Sequence, residues 1–270
     1  MTIEELLDPD DSGSSLTRLS PAWRDTLGVK VMRGLGWTLI YLGFLILGFV
    51  FHQLFITNVF AQRAQNNLES ALAERIDDSQ QTFAYVDPDT GEVIEVPDFD
   101  PTVGGDNGGG IDLGEFEDRL FAYESPPDLG EALGTIRIPD IGLNWTIVEG
   151  VRLNSDLKKG AGHYPNTPIP GQEGNAGIAG HRTTYGQPFH NLGELISGDR
   201  IFWDSATGTH EYEVREAFVV QPSELWVLDE REGAWLTLTT CHPKWSATQR
   251  LIIVAEMVAG PNFGLFGEPT

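Results

Sequence analysis

The chain has one cysteine and few basic residues, and each of these low counts excludes a class of function or structure. Its 270 residues include 17 Lys and Arg against 40 Asp and Glu, for a formal net charge of -23. Nucleic-acid backbones bind clustered Lys and Arg, so this balance argues against a nucleic-acid partner. The lone cysteine, Cys241, excludes an internal disulfide framework. Its thiol is therefore either buried and inert or reactive.

An apolar run near the N-terminus predicts a membrane anchor. Residues 34–51 carry no charge, and extension to residue 56 reaches the roughly 20 residues that a helix needs to cross the hydrocarbon core. We assign residues 34–60 to a transmembrane helix. Four basic residues precede the run and only Arg63 follows it closely, so the positive-inside rule makes residues 1–33 a cytoplasmic N-terminal tail. The rest of this single-pass membrane protein is then extracellular.

A cleaved signal peptide and a buried core helix are the alternatives for this run. The long segment before the run, and the lack of an Ala-x-Ala-like site soon after it, disfavour a signal peptide. The uninterrupted apolar character disfavours a core helix of a soluble domain.

Two polar segments follow the predicted span. Residues 61–85 begin with good helix formers and predict a helical stalk, which we expect to be solvated although Leu68, Leu72 and Ile76 recur at a helical spacing. Residues 86–130 contain thirteen Asp or Glu and one basic residue. Such a composition cannot bury enough apolar surface to offset the entropy of ordering, so we expect a flexible acidic linker.

Short strand-like runs fill residues 131–260 and predict one all-β domain. Alternating or β-branched stretches are separated by Gly, Pro, Asn and Asp, a pattern typical of a β-sandwich or β-barrel. About 125 residues are enough for one such core. Residues 261–270 are assigned to a C-terminal tail. The predicted strands include residues 135–138, 145–151, 211–214, 217–220, 235–240 and 251–258.

The lone cysteine stands at the end of an alternating strand. If Leu236 and Leu238 face the core, then Thr237, Thr239 and Cys241 share the opposite face. Cys241 would emerge on the side of a cleft, where a nucleophile belongs. The alternative is a structural thiol, because free cysteine is among the most buried residue types.

His181 is the candidate acid and base, at the edge of the strand-like run 178–182. In cysteine acyl transfer a thiolate attacks a carbonyl, and an imidazolium protonates the leaving amine. His163, in the Gly-rich segment 160–165, is the rival, and a structural histidine or a wall of the cleft is its other interpretation. The remaining histidines lack a suitable setting and are His52, His190, His210 and His242.

Arg250 begins the apolar run that follows Cys241. Its charge cannot be buried without a partner, so it should point to a mouth or to an anion. An antiparallel strand pair joined by residues 242–249 would return it to the side of Cys241, where it could bind a substrate carbonyl and the oxyanion. A surface or ion-paired arginine is the alternative.

These segments resemble the sortase family, the membrane-anchored cysteine transpeptidases of Gram-positive surfaces. Thr237-Leu238-x-Thr240-Cys241 with Arg250 looks like the sortase signature, and residues 160–182 are similar to the segment that leads to the sortase histidine. The resemblance covers residues 131–258 and implies a closed eight-stranded β-barrel with short helices. It also implies Cys241 as nucleophile, His181 as acid and base, and Arg250 as oxyanion or substrate clamp. The supporting residues at the substrate site would be Thr240, His163 and Tyr164.

The resemblance further implies a reaction and its partners. Sortases cleave a sorting motif of surface proteins between Thr and Gly, hold a thioacyl intermediate, and pass the acyl group to an amine of a peptidoglycan precursor or pilin. The segments Thr-Thr-Cys-x-Pro and Gly-His-Tyr-Pro look most like class E, which favours Leu-Ala-x-Thr-Gly over Leu-Pro-x-Thr-Gly. Class C enzymes carry an Asp-Pro-aromatic lid and a second span, whereas Asp87-Pro88 is followed by Asp89 and residues 261–270 are no span.

Other classes of protein fit the sequence less well. Papain-like enzymes place Cys before His, and L,D-transpeptidases use a Ser-x-Gly-Cys context. A membrane-anchored β-domain that binds a cell-wall partner without catalysis is the non-enzymatic alternative. We assign no metal and no cofactor, because no Cys-x-x-Cys or EF-hand pattern is present. The candidate ligands weighed for a metal were Asp87/Asp89, Asp98/Asp100, and Cys241 with His242 and His181.

Overall fold

A computed structural model describes residues 27–52, 57–78, 82–86, 93–96 and 120–266. The chain divides into two compact units, of which the first ends at Val50. Helix α1 (Leu27–Phe51) has no buried residue and is long and apolar enough to cross a membrane. It begins before the predicted residue 34. It also ends before the predicted residue 60, because residues 57–60 belong to a second helix.

The described residues of the second unit form one α-helix and two sheets. The helix is α2 (Thr57–Asp78), and the smaller sheet consists of β1 (Thr82–Val86), β2 (Val93–Val96) and β3 (Phe121–Tyr123). The larger sheet contains β4 (Ala132–Ile138), β5 (Leu143–Glu149), β6 (Ala161–His163), β7 (Gly174–Gly180), β8 (Arg200–Ser205), β9 (Gly208–Val220), β10 (Ala234–His242) and β11 (Gln249–Ala259). Short 3₁₀ turns lie at Pro139–Ile141, Leu192–Glu194 and Leu225–Leu228.

The larger sheet is a closed eight-stranded barrel, which confirms the predicted fold class. Its strand order is β10-β11-β9-β8-β4-β5-β6-β7, and β7 closes the barrel on β10. The β7–β10 and β5–β6 pairs are parallel, and the other neighbours are antiparallel. A closed barrel has no unpaired sheet edge, so each of its eight strands is hydrogen-bonded to a neighbour along both edges.

The barrel interior is filled by alternate side chains of its strands. Leu236 and Leu238 of β10 meet Ile178 of β7 and Ile253 of β11 in one fully buried cluster. Trp203 of β8 lies in the same cluster and is also fully buried. Burial of each such side chain contributes about 1.5–3 kcal/mol, so this cluster supplies the main stabilisation of the barrel.

Helix α2 packs against the barrel, so the expectation of a solvated stalk is wrong for this helix. Leu68 and Leu72 are buried against Ala132 of β4 and Val148 of β5. Ile76, the third member of the predicted stripe, stays 39% exposed. The helical spacing of leucines therefore marked a packing face, because two turns of apolar surface are covered by the outside of the barrel.

Polar contacts fix the same helix to β5. Gln65 is only 2% exposed. Its Nε2 donates to the carbonyls of Thr146 at 3.0 Å and Lys159 at 3.1 Å, and its Oε1 accepts from the Thr146 N–H at 2.9 Å. One turn from the end of α2, Arg75 forms an ion pair with Glu124. A buried amide with three partners specifies one position of the helix, because any slide would leave it unsatisfied.

Part of the predicted acidic linker forms the small sheet. Strands β2 and β3 lie within residues 86–130 and pair with β1 in the order β2-β1-β3, so the expectation of a flexible segment is wrong for these strands. Buried Asn262, from the predicted C-terminal tail, holds β3 by bonds to the N–H and carbonyl of Ala122 at 2.8 and 2.9 Å. The acidic pairs Asp87/Asp89 and Asp98/Asp100 lie outside the described residues.

A buried histidine on β9 makes the stability of the barrel depend on pH. His210 is fully buried, neither ring nitrogen has a hydrogen-bond partner among the described residues, and burial lowers its pKa from 6.5 to about 4. As pH falls from 6.5 to 4, this histidine becomes protonated in the unfolded chain but stays neutral in the folded chain. Stability from this residue is thus complete above pH 6.5 and is lost toward pH 4.

We expect this linkage to lower the free energy of unfolding by up to about 3 kcal/mol over that range. The His210→Leu variant should lack this contribution, since leucine does not titrate. Urea unfolding of both proteins at pH 7.5 and pH 4.5 measures the difference. Equal losses of stability in the two proteins would contradict the assignment.

Candidate active site

Three predicted catalytic residues lie at one end of the barrel. Strands β7 and β10 are parallel, with Thr239 opposite Ala179, so His181 and Cys241 each follow that pair by two residues. Strands β10 and β11 are antiparallel, and Cys241 lies directly opposite Arg250. The topology therefore brings a thiol, an imidazole and a guanidinium to the ends of three adjacent strands.

Cys241 lies on the outer face of β10, as the alternation of that strand predicted. Leu236 and Leu238 face the interior, which directs Thr239 and Cys241 to the other side. On β11 Ile253 faces the interior, so Arg250 shares the outer face with Cys241. The thiol is free and partly exposed, which favours a reactive over a structural cysteine.

The imidazole of His181 is partly buried at the end of β7. Its Nε2 is buried and has no hydrogen-bond partner within the described part of the chain. Burial lowers the pKa of His181 below its ordinary value of 6.5. The imidazole is therefore neutral at neutral pH and able to accept a proton, which is what a general base requires.

The guanidinium of Arg250 lies at the rim of the site. Its Nη1 donates to the carbonyl of Ala247 at 3.0 Å, in the connection between β10 and β11, and to that of Gln249 at 2.9 Å, the first residue of β11. Arg250 forms no ion pair with a carboxylate of the described residues. Its remaining N–H groups are thus open to an incoming anion or carbonyl.

A second arginine, Arg182, is part of the site and was missed from the sequence. It is only 7% exposed. Its Nη1 lies 3.2 Å from the Cys241 carbonyl and 2.9 Å from His242 Nδ1, so His242, weighed above as a metal ligand, instead meets this cation. Burial lowers the pKa of Arg182, and the charge of a Cys241 thiolate opposes that shift.

The sequence held one signal for Arg182. It directly follows His181 at the end of an apolar, Gly-rich run, with no acidic residue nearby in the chain to pair with it. Such a charge is costly to bury unless a partner compensates it. A nucleophile that becomes an anion during the reaction is a compensating partner of this kind.

Hydroxyl hydrogen bonds join the end of β10 to β7 and to the residue that follows β6. Thr240 Oγ1 donates to the Gly180 carbonyl at 2.7 Å and ties the residue before Cys241 to the residue before His181. Tyr164 Oη lies 3.0 Å from Thr239 Oγ1, on the same face as Cys241. Thr240 and Tyr164 therefore contact the end of β10 near Cys241, and their supporting role at a substrate site stays a prediction.

His163, the rival acid and base, has a different setting. It is 1% exposed, and its Nδ1 lies 2.8 Å from Glu149 Oε2. Its Nε2 lies 2.8 Å from the Pro168 carbonyl and 3.0 Å from Thr167 Oγ1. Both ring nitrogens are engaged in a buried network that does not include Cys241. These contacts give His163 a structural role and do not support a role at the substrate site.

Comparison with known proteins matches the part of the chain that builds this site. The family model of the Sortase domain matches residues 136–258, from β4 to β11. Sortase D of Bacillus subtilis is 34% identical over 136 residues, which are 49% of this chain and 67% of that protein. Sortase SrtE1 of Streptomyces coelicolor is 32% identical over 144 residues, or 48% of this chain and 41% of that protein.

A solved structure of sortase E from Streptomyces avermitilis is 35% identical and covers 53% of this chain and 97% of its own, with a TM-score of 0.46. The present chain thus spans about two thirds of Sortase D and less than half of SrtE1. The family match contains Cys241, His181 and Arg250 and the strands that bring them to adjacent ends. Identity of 34% over that share of Sortase D shows that this chain belongs to the sortase family.

Proposed function

We propose that this protein is a cysteine transpeptidase that cleaves a sorting motif of surface proteins between Thr and Gly. The acyl group then passes to an amine of a peptidoglycan precursor or a pilin subunit. The observation that carries the proposal is the convergence of Cys241, His181 and Arg250 on neighbouring strand ends, with a partly exposed thiol and a base that is neutral at neutral pH. Such a trio fits nucleophilic acyl transfer.

In the first half of the reaction, His181 accepts the thiol proton and Cys241 Sγ bonds to the carbonyl carbon of the motif threonine. The carbonyl π pair moves to oxygen and gives a tetrahedral oxyanion. When the oxyanion collapses, the C–N bond to glycine breaks, and the His181 imidazolium gives its proton to the leaving amine. The product that remains is a thioester between Cys241 and the threonine acyl group.

In the second half, the acceptor amine attacks the thioester carbonyl and His181 takes the proton that the amine loses. The C–S bond breaks as the new amide forms, and the Cys241 thiolate leaves. Proton return from the imidazolium restores the starting enzyme. One base therefore serves both halves, because it is protonated once and deprotonated once in each.

Two arginines supply positive charge to these steps in different places. Arg250 has open N–H groups on the same outer face as the thiol, which suits a contact with the substrate carbonyl and the oxyanion. Arg182 is buried against the Cys241 backbone, and its positive charge stabilises the negative charge of the thiolate. A buried charge acts strongly because little water screens it.

In this proposal α1 anchors the protein in the membrane, the N-terminus is cytoplasmic and the barrel is extracellular. The excess of basic residues before the apolar run supports this orientation. The resemblance of the Thr-Thr-Cys-x-Pro segment to class E favours Leu-Ala-x-Thr-Gly as the motif. Surface proteins that carry this motif are the proposed acyl donors.

Peptide turnover by the full-length protein in detergent micelles tests this function. The protein is incubated with Leu-Ala-x-Thr-Gly or Leu-Pro-x-Thr-Gly peptides and an amine acceptor, and products are identified by mass spectrometry. We expect cleavage after Thr with capture of the amine, faster for the alanine motif. Protein treated with iodoacetamide is the matched control, because Cys241 is the only thiol in the chain.

Loss of both products after alkylation would support the proposal. If the folded, untreated protein cleaves neither peptide but retains one of them, the anchored binding domain without catalysis becomes the better account. Hydrolysis that persists unchanged after complete alkylation would exclude Cys241 as the nucleophile.

A further inference from the structure

The loop between β7 and β8 carries three consecutive residues with a left-handed backbone. These are Tyr185 with φ 50°, Gly186 with φ 77° and Gln187 with φ 46°. Residues other than glycine seldom adopt this conformation, and they keep it only where the surrounding structure imposes it. The loop starts at His181, so whatever imposes its shape also bears on the proposed base.

The first turns of α2 hold the middle of this loop. The Gly186 N–H donates to Asn58 Oδ1 at 3.0 Å. A Cβ at Gly186 would lie 3.3 Å from the Ala61 Cβ and 2.5 Å from Trp145 Cη2, so the glycine is wedged between α2 and β5. Gln65, one turn further along α2, is bonded to β5 on both sides of its amide. The helix is therefore fixed to the barrel, and the loop packs against it.

The residue next to this contact lies against the imidazole of His181. The ring centroids of Tyr185 and His181 are 5.1 Å apart, with an interplanar angle of 34°. This contact covers one face of an imidazole whose Nε2 is already buried. A continuous set of contacts thus runs from Asn58 through Gly186 and Tyr185 to His181.

We propose that α2 positions His181 for catalysis, with Asn58 and Tyr185 as positioning residues that act through the β7–β8 loop. The inference rests on the proposed function, since it assigns α2 a part in the same acyl transfer. Asn58 holds Gly186, the fixed glycine holds the left-handed Tyr185, and Tyr185 limits both the rotation of the imidazole and its access to water. A base held in one orientation transfers protons to and from the thiol and the amine without a reorganisation step.

The same contact sets the direction of a pH effect. Burial keeps the pKa of His181 low, so release of Tyr185 should raise that pKa toward 6.5. Neither substitution removes any of the other ionisable and charged groups at this end of the barrel. They are Arg182 and His190 on the loop, Cys241 and His242 on β10, and Arg250 on β11.

The test compares Asn58→Ala with Asn66→Ala in the full-length protein in detergent micelles. Both changes replace an asparagine of α2 by the same residue, but Asn66 is exposed. Within the described part of the chain its side chain bonds only to Gln62 of the same helix, and Ser70 bonds to its backbone carbonyl. We expect Asn58→Ala to lower kcat roughly tenfold to a hundredfold with little change in KM, because a small misplacement of a catalytic group has this cost. Asn66→Ala should behave like the wild type.

Titration of His181 by NMR gives a readout that does not need turnover. Protein labelled with ¹³C at histidine Cε1 is titrated, and the His181 signal is identified by its absence from a His181→Gln sample. Asn58→Ala and Tyr185→Ala should both raise the titration midpoint of His181. Tyr185→Phe should restore the wild-type midpoint, because it keeps the ring that covers the imidazole.

Equal His181 midpoints in the wild type, Asn58→Ala and Tyr185→Ala would overturn the inference, whatever the catalytic rates. The wild-type protein could cleave no peptide while the His181 midpoints of Asn58→Ala and Tyr185→Ala are raised. That result would count against the proposed function but would support the positioning of His181 by α2. Thermal unfolding of each variant confirms that the compared proteins are folded.

Discussion

Replacement of Cys241 by alanine should abolish both cleavage and transfer while the protein stays folded. The thiol is the proposed nucleophile, and no other cysteine in the chain can take its place. Without it the thioacyl intermediate does not form, so we expect a loss of more than about 10⁴-fold in kcat. The side chain lies partly exposed on the outer face of β10, so its truncation should cost less than about 1 kcal/mol of stability.

Intact-protein mass spectrometry separates this prediction from a simple loss of binding. Wild-type protein given a motif peptide and no acceptor amine should gain the mass of the acyl fragment. The Cys241→Ala protein should bind the peptide, gain no mass and unfold at the same temperature. Cleavage that persists at the wild-type rate in the alanine variant would place the nucleophile elsewhere.

Replacement of His181 by glutamine should lower kcat by roughly 10²–10⁴-fold, the usual contribution of general acid–base catalysis. Glutamine keeps a polar side chain of similar length but cannot carry the proton from the thiol to the leaving amine. Burial lowers the pKa of His181. In the wild-type profile of kcat/KM against pH, the midpoint of the acid limb should therefore lie below pH 6.5. Steady-state kinetics between pH 4.5 and pH 8 measure both effects.

His163→Gln is the matched control for this substitution. It removes the rival candidate base, whose ring nitrogens bond to Glu149 and the Pro168 carbonyl. Loss of these buried bonds should destabilise the barrel by about 1–3 kcal/mol. The folded fraction should keep its kcat and its acid limb. Greater loss of kcat in His163→Gln than in His181→Gln would reverse the assignment of the base.

The end of the barrel was predictable from the sequence where a strand alternates. In β10 each apolar residue on the interior face is followed by a residue on the outer face, so the position of Cys241 followed from Leu236 and Leu238 alone. Strand β7 gave no such signal, because four of its residues are Gly or Asn and its pairing depends on distant partners. The three-residue β6 is too short to leave a period at all.

The contacts outside the barrel were hidden from the sequence for a different reason. The leucine spacing of α2 showed a possible face, but not that Gln65, a polar residue, would be its most tightly bonded member. Acidic composition concealed β2 and β3, since the asparagine that fixes β3 lies 140 residues further along the chain. Long-range polar pairing leaves no periodic pattern, so local sequence cannot reveal it.

The closure of the barrel by β7 on β10 ties chemical competence to the completion of folding. Thr240 and Gly180 are bonded across a separation of 60 residues, and contacts of such long range form slowly because a long loop must be closed first. Before that closure a newly made chain has the Cys241 thiol, but the proposed base, His181, is not yet held at the adjacent strand end. Under the proposed function, acyl transfer therefore becomes possible only once the barrel has closed.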